Sequence, residues 1–412
     1  MLVHHSGARD HTTQVYARGI VNIPEVASLV AAYADELIDV RRDIHAHPEL
    51  GFQEFRTTGL VFDRLAKAGL EPRRLNSGTG LWCDIGTGRR TIVLRADLDA
   101  LPMIDSCGRP WASTHEGATH ACGHDVHTTG LLGAALALAD LHERTPLPGR
   151  VRLIFQPAEE KMPGGALKVL GEGLLDDATR AYGLHCDPHT DVGHIGSRVG
   201  AITAAADHVS VTLTGHGGHT SRPHLTEDVI FALAAVVTGV PAALSRRLDP
   251  RSGASMVWGR INAGVAMNAI PSAGEVAGTF RCLDSAVWTV ASSVITETIH
   301  AIVQPYGVKA EVNYQRGVPP TVNDADAVAI AEASIKAELG ADALQLTPQS
   351  LGGEDFAWIL EKVPGAMVRL GTRTPGGTTF DLHRPDFDVD ERAVSVASTF
   401  LASVAVRDLF GG

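Results

Sequence analysis

The chain has 412 residues, 44% hydrophobic and 20% charged, enough for two or three domains with real cores at ~100–200 residues each, and unlike a disordered or collagen-like chain. With 35 Lys+Arg against 47 Asp+Glu the net charge is −12, and such a chain lacks the counterion-releasing surface of a general nucleic-acid binder. No apolar run approaches the ~20 residues of a membrane span, and MLVHHSGARDHTTQVYARG has polar residues where a signal peptide needs an apolar stretch, so the expectation is a soluble, cytoplasmic protein with no membrane partner.

Along the chain, Val26 to His47 places Leu29, Val30, Tyr33, Leu37, Ile38 and Ile44 on one helical stripe, which Pro48 ends. A second helix is predicted from about Glu54 to Ala68. TIVLRADLDALPM reads as a buried strand leading into Asp97 and Asp99, Gly130 to His142 as an apolar helix, and Val151 to Pro157 and Ala181 to Cys186 as further strands. Strands alternating with helices argue for an α/β domain with its site at the carboxyl ends of the strands.

After Gly200 the pattern changes. DHVSVTLTG alternates with period two, followed by a helix near Glu227 to Val240, strand-like MVWGRINAG and EVAGTFRCL, a helix from Val287 to Val303 and a strand from Lys309 to Tyr314. This is an α+β insert of ~110 residues with an antiparallel sheet covered on one face. From Val318 onward α/β character returns, with helices near Ala325 to Leu339 and Phe356 to Leu360 and the strand AMVRLG. The expected fold is therefore α/β, a mostly parallel sheet in a catalytic domain (residues 1–203 and 316–412) interrupted by a smaller α+β domain (204–315).

Five cysteines, Cys83, Cys107, Cys122, Cys186 and Cys282, are odd in number and scattered, unlike a disulfide framework. HACGHD sets Cys122 and His124 two residues apart before an apolar helix, and thiolate with imidazole suits a zinc-like divalent metal, although packing or surface placement is the commoner reading of an isolated Cys-x-His. QPAEE puts Glu159 and Glu160 just past a strand. Two adjacent carboxylates there are costly to desolvate without a cation, and their diverging side chains would let one bind metal while the other handles a proton; the plain alternative is a solvated acidic turn. GLHC supplies His185 at a strand end and FDLHRPDF supplies His383, each readable alone as a core or surface histidine. Together Cys122, His124, Glu160, His185 and His383 belong to one domain, and five ligands suit two metal ions better than one. Ser221 lacks a G-x-S-x-G elbow, and no strand–G-x-G-x-x-G–helix pattern supports dinucleotide binding.

RRDIHAHPELGFQE, LRADLDALPM, HACGHDVHTTGLLGAAL, QPAEE, GLHCDP, GHGGHTSRPH, GGEDF and HRPDF, in this order from about Asp39 to Ala393, resemble the dinuclear metallo-amidohydrolases that include aminoacylases and carboxypeptidase G. The branch most similar holds hippurate hydrolases and indole-acetyl-amino-acid hydrolases. The resemblance implies Cys122, His124, Glu160, His185 and His383 as ligands of two divalent ions per subunit, zinc or manganese, with nickel or cobalt as further options. It implies Glu159 as general base and the insert as a lid and homodimer interface. His219 matches a histidine that reaches the partner's site, and Asn268 with Arg281 matches a clamp on the substrate α-carboxylate, a task for which a guanidinium is suited. Other branches have a ligand histidine where Asp97 stands, so no ligand role falls on Asp97; Asp99 and Asp125 are expected to orient ligands. The implied reaction is hydrolysis of small N-acyl-amino acids. A dipeptidase, an N-acyl-diaminopimelate deacylase and a metal-binding scaffold without catalysis are the alternatives.

Overall fold

The computed structural model describes residues 26–411. The polar N-terminal stretch read above against a signal peptide lies outside them. The stripe from Val26 forms two helices, α1 (Ala27–Ala31) and α2 (Ala34–Ala46), followed by α3 (Phe55–Lys67). Then come β1 (Arg73–Arg74), β2 (Leu81–Ile85), β3 (Thr91–Asp97), α4 (His124–Arg144), β4 (Arg150–Gln156), α5 (Ala166–Gly171), β5 (Ala178–Asp191), β6 (Ile195–Ser197) and β7 (Gly200–Thr203). The insert holds β8 (Ala205–Thr214), β9 (Gly218–His219), α6 (Val229–Arg247), β10 (Ser255–Ala263), β11 (Ala269–Ile270), β12 (Ala273–Cys282), α7 (Ser285–Val303) and β13 (Lys309–Val318). The chain closes with β14 (Thr321–Asn323), α8 (Ala325–Leu339), β15 (Leu344–Leu346), α9 (Phe356–Lys362), β16 (Gly365–Arg373) and α10 (Arg392–Gly411).

The larger sheet has eight strands in the order β1-β2-β4-β3-β5-β16-β6-β15, and its centre, β4-β3-β5-β16, is wholly parallel. Parallel strands are covered on both faces, which is why every residue of β3 is buried and why its sequence runs apolar without alternation. Ile92 and Leu94 pack into a core with α4 and α10, while Val93 points to the opposite cluster with Phe356 and Ile359 of α9. The result is a three-layer α/β/α arrangement.

The smaller sheet, β10-β12-β8-β13, is antiparallel throughout, and α6 and α7 cover one face. In β8 the inward Val209, Val211 and Leu213 alternate with His208, Ser210, Thr212 and Thr214, as the period-two reading expects. The two passages between the sheets pair with each other as β7 and β14, and the Thr203 hydroxyl donates to Thr321 Oγ1 at 2.5 Å.

Two readings need correction. Helix α4 begins at His124 rather than Gly130, so the metal-type motif opens the helix itself. Three helices among the described residues, α6, α7 with its extension to Tyr306, and α10, do reach the length and hydropathy of a membrane span. Ser and Thr, with Gly239 and Pro241 in α6, interrupt their apolar runs and mask them as continuous stretches. In the fold, 78% of the α10 window is buried inside the protein, and α6 and α7 each lay one face on the smaller sheet.

Close approach of α10 to α4 depends on glycines. A Cβ on Gly133 would stand 2.3 Å from Ser398 Oγ and 2.6 Å from Leu37 Cδ1. Gly133→Val should therefore destabilise by ~1–3 kcal/mol through overpacking, with the urea midpoint lowered and the m-value kept. A midpoint equal to the parent's would show that the helices can part without cost.

Candidate metal centre and active site

The parallel strands deliver the polar residues to one end of the sheet. Asp97 ends β3 with Asp99 just beyond it, Glu159 and Glu160 follow β4, His185 lies on β5, and Cys122 with His124 sits where α4 starts. Gly123 between those two residues has φ +84°, and a Cβ there would meet Cys186 Sγ at 2.6 Å, so only glycine lets the turn close.

The imidazoles of His124 and His185 are each turned by a bond to Nδ1. His124 Nδ1 donates to the Asp99 carbonyl at 2.8 Å, which leaves Nε2 buried and without a hydrogen-bond partner, 3.9 Å from Glu159 Oε2 and 4.0 Å from Glu160 Oε1. His185 Nδ1 donates to the Cys186 carbonyl at 2.8 Å and turns its Nε2 towards Cys122 Sγ, 3.4 Å away. His383 Nε2 lies 3.2 Å from Glu160 Oε1. Cys122, His124 and His185 offer ligand atoms within 4.8 Å of one another, as do Cys122, Glu160 and His383, and the two groups share Cys122. Thus all five sequence-predicted ligands converge. Their mixture of sulfur, nitrogen and oxygen and the orphaned His124 Nε2 fit divalent ions of the zinc type.

Backbone strain marks the same place. Ala158, just before the carboxylate pair, and His383 have φ of +54° and +57°, a region that residues with side chains enter only when the surroundings hold them there. The Glu54 carboxylate accepts the Ala158 amide at 2.8 Å, and the His383 amide donates to the Ala121 carbonyl at 2.8 Å.

The electrostatics favour a cation. Burial, with Glu354 and Glu160 nearby, pushes the Glu159 carboxyl well above its ordinary range, and burial likewise raises the Cys122 thiol. Asp97 behaves in the opposite way: burial opposes its charge, but His124, His127 and Arg95 outweigh it and hold the carboxyl well below the usual value. His127 Nδ1 donates to Asp97 at 2.7 Å and its Nε2 accepts the Cys186 amide at 2.9 Å, so both nitrogens are occupied. Asp97 thus has a structural job and Asp99 orients the site, accepting the amides of Glu159 and Glu160 at 2.9 and 3.0 Å. Asp125 does not orient the ligands as expected. One residue beyond His124 on the helix it points elsewhere, and it takes Arg41 Nε at 2.7 Å and His45 Nδ1 at 2.9 Å.

These residues open onto a cavity of ≈ 270 Å³ lined by Cys122, Glu159, Glu160, His185, His383 and, from the smaller sheet, Arg281. Arg281 also donates to the Leu351 carbonyl. His219 and Asn268 do not line it. They sit together on the exposed β9–β11 ribbon, where His219 pairs with Ala269 and its Nδ1 accepts the Ser221 amide at 3.1 Å. Sequence reading also left three groups without a role: Arg95, which is buried and reaches Asp97, Gln156 and Asp355; the Glu354–Asp355 pair; and Arg369. Glu354 and Asp355 stood in GGEDF, and the two arginines interrupt otherwise apolar strands, which was the signal available.

Residues 93–407 match the model of Peptidase family M20/M25/M40. The chain belongs to this family. A relative from Rhodococcus jostii (strain RHA1), named for glutamate–cysteine ligation, is 48% identical over 379 residues; the match covers 91% of this chain and 47% of that protein, so the chain spans about half its length. The N-acetyl-L-cysteine deacetylase of Bacillus subtilis (strain 168) is 38% identical, with 90% of this chain and 88% of the relative covered. Among solved structures, the Bacillus subtilis YXEP protein, described as a dinuclear metal binding peptidase from the M20 family, superposes with a TM-score of 0.80 at 34% identity, covering 92% of this chain and 99% of that one. By family the chain is a metallo-amidohydrolase, and its mixed α/β architecture is the family's.

The buried Glu54 yields a pH test. Burial and the nearby Asp99 raise its carboxyl to about 7. The folded protein then keeps a proton that the unfolded chain has already released, so this contribution to stability is full below the ordinary carboxylate value and is lost as the pH rises through about 7. Glu54→Gln retains an acceptor for the Ala158 amide and should remove that loss, up to ~3 kcal/mol between pH 5 and 8 by denaturant unfolding at fixed metal content. Parallel pH profiles for variant and parent would refute it.

Proposed function

We propose that the chain hydrolyses the amide bond of small N-acyl-amino acids. The observation that carries this reading is Glu159: a buried carboxylate facing the cavity that belongs to neither of the two three-ligand groups sharing Cys122, although its oxygen also lies within 4.8 Å of ligand atoms of His124 and Glu160. A scaffold that only bound metal would have no use for it. Cys122, His124, Glu160, His185 and His383 would hold two divalent ions, which when bound supply Lewis acidity that lowers the pKa of a water towards ~7 and polarises the acyl carbonyl. Glu159 takes the proton of the attacking water and later returns it to the leaving amine nitrogen, two sequential tasks for one carboxylate. Arg281 holds the α-carboxylate of the amino acid. Residues 1–203 and 316–412 act as the catalytic domain and 204–315 as the lid, in the reducing compartment that free cysteines such as Cys122 suit.

Glu159→Gln should keep its metal and lose several orders of magnitude in turnover, whereas Cys122→Ser should lose metal, because a hydroxyl is a poorer ligand than a thiolate. Metal analysis beside an activity screen over N-acyl-amino acids, N-acyl-diaminopimelate and dipeptides, with each candidate ion added back, decides the matter. Full activity in Glu159→Gln would remove the general base from the mechanism.

The position of His219 and Asn268 supports a shared site. Both are exposed and outside their own chain's cavity, and the neighbouring edge strand β10 presents Val257 and Ile261, 60% and 53% exposed. A homodimer through the lid would bring His219 of one copy to the oxyanion in the other, a preorganised donor of the kind that contributes strongly to catalysis. Mixing inactive His219→Ala with inactive Glu159→Gln under subunit exchange should then restore activity to about a quarter of the parent value, since half the dimers are mixed and each has one intact site. No recovery with exchange confirmed would assign His219 to its own chain.

A further inference from the structure

Strand β16 carries one charge through the apolar run AMVRLG, Arg369. It lies in register with His185 on the parallel neighbour β5, so the two side chains leave the sheet on the same face at the same level. Arg369 lines the catalytic cavity and also a second cavity of ≈ 280 Å³, walled by Asp187, Pro188, Gln349 and Asp381; Ser350, Arg369 and Leu382 are common to both.

Arg369 differs from the buried Arg95 and Arg152 in that nothing among the described residues neutralises it at close range. Arg95 reaches Asp97 and Asp355, and Arg152 reaches Asp84 and Asp177, each within hydrogen-bonding distance. The Arg369 side chain has no hydrogen bond and no ion pair among the described residues; burial lowers its pKa, and Glu354 and Asp187 act on it only through longer-range attraction. The carboxylates of the side cavity are already committed. Asp187 accepts the His189 amide at 2.9 Å and the Thr190 hydroxyl at 2.8 Å, and Asp381 accepts the Leu382 amide at 2.9 Å. A partly buried guanidinium without a partner costs desolvation energy that only an incoming anion would offset, and its planar fork of donors matches a carboxylate.

We propose that Arg369 is a specificity residue that holds a second carboxylate of the substrate in the side cavity, so that the preferred substrates are N-acyl-amino acids carrying two carboxylates. The inference rests on the amide-hydrolysis reading above and names its substrate class. The second carboxylate has two sources with the same chemistry, the end of the acyl group or the side chain of the amino acid. The competing role for Arg369 is positional: a fixed charge that orients His185 and offsets nearby acids.

Two matched pairs separate these possibilities with metal-loaded protein: N-succinyl-alanine against its succinamoyl amide, and N-acetyl-glutamate against N-acetyl-glutamine. The parent should favour the diacid of one pair by about tenfold or more in kcat/KM, and that pair names the source; Arg369→Met should collapse the ratio through KM, with Arg369→Lys retaining part of it. A parent with no preference in either pair overturns the proposal, as does a ratio that Arg369→Met leaves intact because both members fall alike. Binding of glutarate to the metal-free protein, followed by calorimetry, needs no turnover. The parent should bind it about tenfold more tightly than Arg369→Met, and equal binding counts against the site. If no N-acyl substrate is cleaved while glutarate still discriminates, the amide-hydrolysis reading fails and the carboxylate site stands.

Discussion

The site hangs on Asp99. Its carboxylate accepts the amides of both Glu159 and Glu160, and its carbonyl accepts Nδ1 of His124, so one buried residue just past β3 fixes the turn after β4 and the first residue of α4 together. The two amide bonds set the backbone from which the paired carboxylates diverge. The carbonyl bond selects the His124 tautomer and leaves Nε2 as the free ligand atom. Remove Asp99 and two strands and a helix lose their common reference, although none of the five candidate ligands has changed. The strained Ala158, held by Glu54, belongs to the same device: a turn that would relax alone is held open by acceptors on elements distant in sequence.

Charge decides how that device is completed. Asp97, Asp99, Glu159, Glu354 and Asp355 are all buried in this region, and Arg95 is the fully buried cation among them. Two like charges ~4 Å apart repel by ~4 kcal/mol at an effective dielectric of 20, so such a cluster must bind protons or cations. The region divides accordingly. Asp97, between Arg95 and two histidines, stays ionised, whereas burial pushes Glu159 and Asp355 towards the protonated form. A divalent ion competes with those protons, and its binding couples to proton release and to the stability of the surrounding turns. The same reasoning distinguishes Arg95 from Arg369: one is saturated by carboxylates of the fold, and the other faces open cavities with donors unused.

The sequence revealed the parts of this arrangement that are local. Buried strands such as Thr91–Asp97 and the alternation in Ala205–Thr214 carry their periodicity in neighbouring residues, and the ligand set could be read because Cys122, His124, Glu160, His185 and His383 each sit in a short motif. What stayed hidden depends on pairs far apart in the chain. Nothing local says that Asp125 turns towards Arg41 and His45, that Glu354 and Asp355 come near Glu159, or that Arg369 lies beside His185, because β5 and β16 are separated by the whole of the smaller sheet. Helix α10 was overlooked for a different reason. Its Ala, Ser and Thr residues lack strong periodicity because the helix is buried on most of its circumference, and a helix hydrophobic on nearly all sides shows no stripe.

The division of labour between the two sheets follows from how much order each task demands. Proton transfer and metal ligation tolerate errors of only a fraction of an ångström, and of the residues proposed for them all but His383, which lies on an exposed loop, stand at parallel strand ends or a helix start with buried neighbours. The residues proposed to recognise the substrate, Arg281, His219 and Asn268, lie instead on or beside the more exposed antiparallel strands. The paired strands β7 and β14 join the layers through a short ladder, and Thr203 of that ladder lines the catalytic cavity. The smaller sheet is thereby tied to the cavity wall, while Glu159, Glu160 and His124, which bond to Asp99, are held by the larger sheet and α4 alone.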